Sequence, residues 1–269
     1  MSFAIVSDIH LDVNEEYPIV EELITYLEEL GVDGLIIAGD ISNHYKKTID
    51  VVQMIKDELN IEVMYVPGNH DMWSHNLKEL PTNVIYYKYL NDVNCLCYGS
   101  RQISDNITVI GDIGWYDYSF GGKEFGRDEF ELMCYEDRRW QDSMKNAWTK
   151  NNVYFCNFFL ERLRKQLQEC KTETKIVVTH MLPIEEFTVK DTNKSWDYFN
   201  AFLGSKKLHD LYREFNVTHA VCGHVHYRKQ YHKDGINYYC PCLNYASEWQ
   251  GGVNNCREEI RNAVQIIEC

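Results

Sequence analysis

IEVMYVPGNHD, residues 61–71, is a mostly apolar run that stops at Pro67-Gly68 and passes directly into Asn69, His70 and Asp71. Pro-Gly is a strand-ending turn signal, and Asn and Asp are ordinary turn and cap residues. The stretch reads as a β-strand with a polar carboxyl end, and its neighbours decide whether that end is only a turn. Upstream, FAIVSD (3–8) precedes PIVEELITYLEELG (18–31), which has apolar residues at helical spacing and a stop at Gly31. DGLIIAGD (33–40) then precedes SNHYKKTIDVVQMIKDEL (42–59), where Ser42 or Asn43 is expected to cap a helix. With the quoted stretch these segments form a βαβαβ unit, which implies adjacent parallel strands joined by right-handed crossovers.

Downstream, the pattern predicts strands in NVIYY (83–87), CLCYGS (95–100) and ITVIGDIGW (107–115). Residues 117–150 have no clean period and read as a cap or insertion, as does the aromatic-bearing segment 183–203. A helix is expected over 152–169, a strand in KIVVTHM (175–181), and a helix through KKLHDLYREF (206–215) starting at Ser205. THAVCGHVH (218–226) and INYYCPCLNY (236–245) read as strands, whereas EIRNAVQIIEC (259–269) fits either a helix or a strand. With no internal repeat and no Pro/Gly-rich linker, residues 1–269 are expected to form one domain.

The composition narrows the function. A formal charge of −14 argues against a surface built to hold long polyanions, so a phosphate substrate would need a local positive source such as a metal. No apolar run approaches the ~18 residues of a membrane span, and a secretory n-region is missing, so a cytoplasmic protein without membrane contact is expected. Ten cysteines are present, but Cys95-x-Cys97 and Cys240-x-Cys242 lack the two-residue spacing of zinc knuckles and read as reduced, partly buried thiols.

The polar residues at the strand ends form a series: Asp8-x-His10, Gly39-Asp40, Gly68-Asn69-His70-Asp71, His180, and Gly223-His224-x-His226. Each alone is an ordinary turn or core feature. In an open α/β sheet, however, the strand carboxyl ends face one crevice, so the five groups can converge. In this order they resemble the five blocks of the calcineurin-like metallophosphoesterase superfamily, and they span residues 8–226. The resemblance implies a four-layer α/β/β/α sandwich of two mixed β-sheets flanked by helices. It also implies two metal ions bridged by Asp40, one completed by Asp8, His10 and His226, the other by Asn69, His180 and His224. Imidazole, carboxylate and amide ligands suit divalent or trivalent Mn, Fe or Zn better than Mg.

The expected reaction is hydrolysis of a phosphomonoester or phosphodiester by in-line attack of a hydroxide bridging the two ions. His70 would serve the leaving oxygen, with Asp71 either orienting His70 or acting as a plain cap. Many members of the superfamily carry an acidic residue shortly after the second block, where this chain has Asn43. Arg138, Arg139 and Trp140 are candidate contacts to a small phosphorylated substrate. The alternatives are a nuclease on the same metal core, disfavoured by the charge, and a non-catalytic scaffold, disfavoured by the intact ligand set.

Overall fold

The computed structural model describes residues 1–74, 77–78, 80–190, 194–251 and 255–269. The chain begins with the expected βαβαβ unit: β1 (Ser2–Val6), α1 (Ile19–Leu30), β2 (Gly34–Ala38), α2 (Tyr45–Leu59) and β3 (Glu62–Val66). Gly31 ends α1 in the left-handed conformation expected of a C-terminal glycine. The α2 start differs from expectation: His44 is the N-cap residue, and Ser42 instead receives the His44 N–H on its hydroxyl.

Next come α3 (Thr82–Tyr89), β4 (Arg101–Gln102) and β5 (Ile107–Gly111). The α3 segment corrects the strand expected in NVIYY. Its β-branched and aromatic composition suggests a strand, but Ile85, Tyr86 and Tyr89 fall on one buried helical face behind Pro81. CLCYGS likewise forms turns, joined to β3 only by a Tyr65–Cys95 bridge.

The 117–150 segment contains α4 (Arg127–Glu131), a small ribbon of β6 (Cys134–Tyr135) and β7 (Arg138–Arg139), and α5 (Asp142–Lys145). Then follow α6 (Asn152–Glu169), β8 (Thr174–Val178), α7 (Lys194–Phe199), α8 (Lys206–Glu214) and β9 (His219–Val221). Asn151 and Ser205 cap α6 and α8 with their side chains. The chain closes with β10 (Arg228–Lys233), β11 (Ile236–Pro241), α9 (Cys256–Ala263) and β12 (Gln265–Glu268), so EIRNAVQIIEC is helix and then strand. No described helix is long and apolar enough to cross a membrane.

The strands form two mixed sheets, ordered β12-β1-β2-β3 and β10-β11-β9-β8-β5-β4. In the first, β1 pairs in parallel with β2 and antiparallel with β12. Alternation of side chains explains the layering. Phe3, Ile5, Ile36, Met64 and Val66 of one sheet pack against Val109, Ile176 and Val178 of the other. The intervening residues, among them Ala4, Val6, Leu35, Ile37 and Val177, belong to the larger core that includes Leu23 and Leu27 of α1 and Leu163 of α6. The result is the four-layer sandwich with helices outside both sheets.

Candidate metal centre

The carboxyl ends of β1, β2, β3, β8 and β9 meet at one edge of the sandwich. Backbone bonds fasten the loops there: Asp8 N–H donates to Gly39, His10 N–H to Asp40, and Gly223 N–H to His180. Asp8, His10, Asp40, His224 and His226 all have positive φ, between 48° and 74°. An L-residue adopts this left-handed region at a cost of about 1–2 kcal/mol, and such strain concentrates where function fixes the backbone. Two glycines are required by proximity. A β-carbon at Gly68 would lie 2.1 Å from Asp40 Oδ1, and one at Gly223 would lie 2.4 Å from Asp8 Oδ2.

The side chains form two linked clusters. In one, His10 Nε2 lies 3.1 Å from His226 Nε2 and 3.8 Å from Asp8 Oδ1, and His226 Nε2 is 3.6 Å from Asp8 Oδ1. In the other, His180 Nε2 lies 3.2 Å from Asp40 Oδ2, 3.1 Å from Asn69 Oδ1 and 3.2 Å from His224 Nδ1. Asp40 Oδ2 also faces the first cluster, 3.8 Å from His10 Nε2.

Hydrogen bonds on the far side of the rings set the tautomers. His180 donates Nδ1–H to the Ala38 carbonyl, His224 donates Nε2–H to that of Phe202, and His226 donates Nδ1–H to Glu248. With the rings neutral, each turns a lone pair inward. Acceptor atoms of Asp40, Asn69 and His224 then crowd within hydrogen-bond distance of the His180 Nε2 lone pair. Such a donor set fits a cation, and the two clusters can hold one each.

Where no cation is held, a proton on His180 balances the buried Asp40 carboxylate instead. Burial opposes ionisation of Asp40, but His180 and the neighbouring imidazoles hold its carboxyl well below the usual range. Burial likewise opposes the charged form of His180, yet Asp40 pushes its pKa up to about 9. Burial drives both His70 and His224 down to about 3.

His70 stands beside the clusters, with Nε2 4.0 Å from Asp40 Oδ2 and its ring stacked on Trp73 at 3.6 Å between centroids. Of the two roles open to Asp71 from the sequence, orienting His70 or capping, the contacts match the cap. Asn43 Oδ1 instead meets His70 Nδ1, at 2.8 Å. Asp71 is fully buried and accepts from Gly68 N–H at 2.7 Å, Ser42 N–H at 3.0 Å and the Thr48 hydroxyl at 2.6 Å. It is a cap that ties the second and third loops together, and burial pushes its pKa up to about 6.

A cavity of about 910 Å³ opens over the clusters. Trp73, Trp140 and Trp196 line it, as do Tyr245 and Lys229. Of the three substrate contacts expected from the sequence, only Trp140 lines the cavity. Arg138 and Arg139 lie on the exposed strand β7, and the Arg138 guanidinium sits 5.0 Å over the Phe199 ring. Asp112, which follows β5, is paired with Arg162 Nε at 2.7 Å. Sequence reading missed Tyr245 and Glu248, whose only signal was their place shortly after a strand, and Asp142, which carried none.

Two mixed sheets in an α/β/β/α sandwich, with paired His/Asp clusters at the strand ends, define a metal-dependent phosphoric ester hydrolase. The chain belongs to the calcineurin-like phosphoesterase family, whose model matches residues 1–228. That family is dimetal-dependent. Among curated proteins, the chain is 22% identical to the [acyl-carrier-protein] phosphodiesterase PptH of Mycobacterium tuberculosis, over 91% of this chain and 78% of that protein. Its fold is similar to the crystal structure of the phosphopantetheinyl hydrolase PptH from Mycobacterium tuberculosis, with a TM-score of 0.77 and 16% identity over 99% of this chain and 95% of that one. TT1561 of Thermus thermophilus is more distant in structure, with a TM-score of 0.51 and 13% identity over 99% and 98% of the two chains.

Proposed function

We propose that this protein is a phosphodiesterase for a substrate with an extended organic arm, using two transition-metal ions drawn from Mn, Fe or Zn. The observation that carries this reading is the inward convergence of acceptor atoms beneath a cavity of about 910 Å³. The volume exceeds the need of a bare phosphate, and three tryptophans give the arm an apolar wall. The similarity to PptH, a phosphodiesterase by name, adds support.

In this reading Asp8, His10 and His226 hold one ion, Asn69, His180 and His224 hold the other, and Asp40 is shared. When bound, the ions supply Lewis acidity to the phosphoryl oxygens and lower the pKa of water. His70 donates its Nδ1–H to Asn43, so any proton it delivers to the leaving oxygen is carried on Nε2. Trp73 keeps the imidazole ring in its plane. Tyr245, with its ring centroid 4.6 Å from those of both His10 and His226, closes the opposite side of the site.

The test is hydrolysis by protein reconstituted with Mn²⁺, across five substrates. These are a simple phosphomonoester, a simple phosphodiester, a 2′,3′-cyclic nucleotide, single-stranded DNA and a carrier protein bearing a phosphopantetheine arm. Faster turnover of the armed diester than of the monoester is expected. Preference for single-stranded DNA would replace this reading with a nuclease, and no hydrolysis with both ions bound would replace it with a scaffold.

A further inference from the structure

The carboxylate of Asp142 is buried in α5, outside all five sequence blocks, and the hydrogen bonds it accepts form an unusual set. Its Oδ1 accepts from Asn69 Nδ2 at 2.9 Å, Trp73 Nε1 at 2.8 Å and Asn146 Nδ2 at 3.1 Å. Its Oδ2 accepts from Trp140 Nε1 at 3.0 Å and lies 3.3 Å from the Tyr116 hydroxyl. Indole N–H groups can only donate, and an ionised carboxylate can only accept. Asp142 is only 2% exposed, so water does not take the place of these donors.

This arrangement removes the ambiguity inherent in an amide. Asn69 could turn either Oδ1 or Nδ2 towards the site, and only the oxygen has a lone pair to offer a cation. Because Asp142 demands the N–H₂ end, Oδ1 is left facing His180 Nε2 at 3.1 Å. From this geometry, and resting on the reading of Asn69 as a metal ligand, we infer that Asp142 is a positioning residue. It holds the Asn69 oxygen towards the second ion and links that ligand to the two indoles of the cavity wall.

The inference is tested by titrating the metal-free protein with Mn²⁺ alone and following free Mn²⁺ by electron paramagnetic resonance. Loss of an orienting partner of a metal ligand costs about 10–100-fold in metal affinity. Asp142→Ala should weaken the second ion by about that factor, as should Asn69→Ala. The double variant should be no weaker than Asn69→Ala alone. Additive losses, or an Asp142→Ala protein with unchanged affinity beside a weakened Asn69→Ala protein, would overturn the positioning role and leave the ligand reading standing. Unchanged affinity in Asn69→Ala would overturn both.

Asn69→Asp gives a second readout that does not depend on Asp142→Ala folding. A carboxylate is the stronger ligand for Mn²⁺, but the introduced side chain would have no N–H to give Asp142 and would face a like charge. Affinity for the second ion should therefore fall. A rise in affinity would mean that Asp142 does not govern the orientation.

Discussion

The His70 imidazole is held by the neutral amide of Asn43 and not by a carboxylate, and this defines what the side chain contributes. Asn43 fixes the tautomer without adding negative charge, and burial favours the neutral ring, so Nε2 carries a lone pair and must take up a proton before it can serve the leaving oxygen. His70→Ala should lower kcat by about 10²–10⁴-fold, the usual contribution of a positioned acid or base. Metal content, read by elemental analysis, should stay at the wild-type value, because neither cluster loses a proposed ligand. Gly223→Ala should differ in its metal content. Its β-carbon would displace Asp8, so bound metal and activity should be lost together. The proposed metal-ligating positions could be picked out from sequence because each follows an apolar strand. The contact of Asn43 with His70, and the places of Glu248 and Asp142, could not, because they come from loops or a short helix whose position depends on the whole fold.

Among the elements, α3, α6 and the end of β5 share one buried ion pair. Arg162 of α6 donates Nε–H to Asp112 at 2.7 Å and a second N–H to the Cys97 carbonyl at 2.6 Å, while the Tyr86 hydroxyl of α3 lies 2.9 Å from Asp112. Arg162→Ala leaves a fully buried carboxylate without its cation. Stability should fall by about 3 kcal/mol, the low end for breaking such a pair, because Arg162 is itself partly solvated. Urea denaturation measures the change, and kcat should change little. The same elements explain where sequence reading succeeded and failed. The βαβαβ unit was evident because strand and helix periods alternate. The α3 segment was misread because its residue types favour strands while its contacts favour a helix. The edge strand β10, RKQYHK, went unnoticed because it buries no face and shows no alternation.

For the whole molecule, the two clusters draw residues from both sheets, so any bound cation fastens one sheet to the other. Removing metal with a chelator should lower the melting temperature, and adding Mn²⁺ back should raise it with concentration. The gain expected is about 2.7 kcal/mol at a hundredfold excess over Kd. Calorimetry across a metal series checks this, and a melting temperature indifferent to metal would contradict it. Overall architecture was accessible through the motif order, whereas of the three tryptophans in the cavity wall only Trp140 was singled out. Trp73, Trp140 and Trp196 are distant in sequence, and nothing local distinguishes the other two from core aromatics.

The pairing of β1 with β12 has a consequence for how the protein is made. The strand that leads into Asp8 and His10 is synthesised long before residues 265–268, which complete one of its two edges. Until then that edge presents unpaired backbone groups, a template for wrong partners. His224 and His226 also emerge more than 200 residues after Asp8. The first cluster therefore cannot assemble on a nascent chain shorter than this. An ion held by the first cluster would be captured only after residue 226 has been made, and the open edge of β1 is exposed to wrong partners before that.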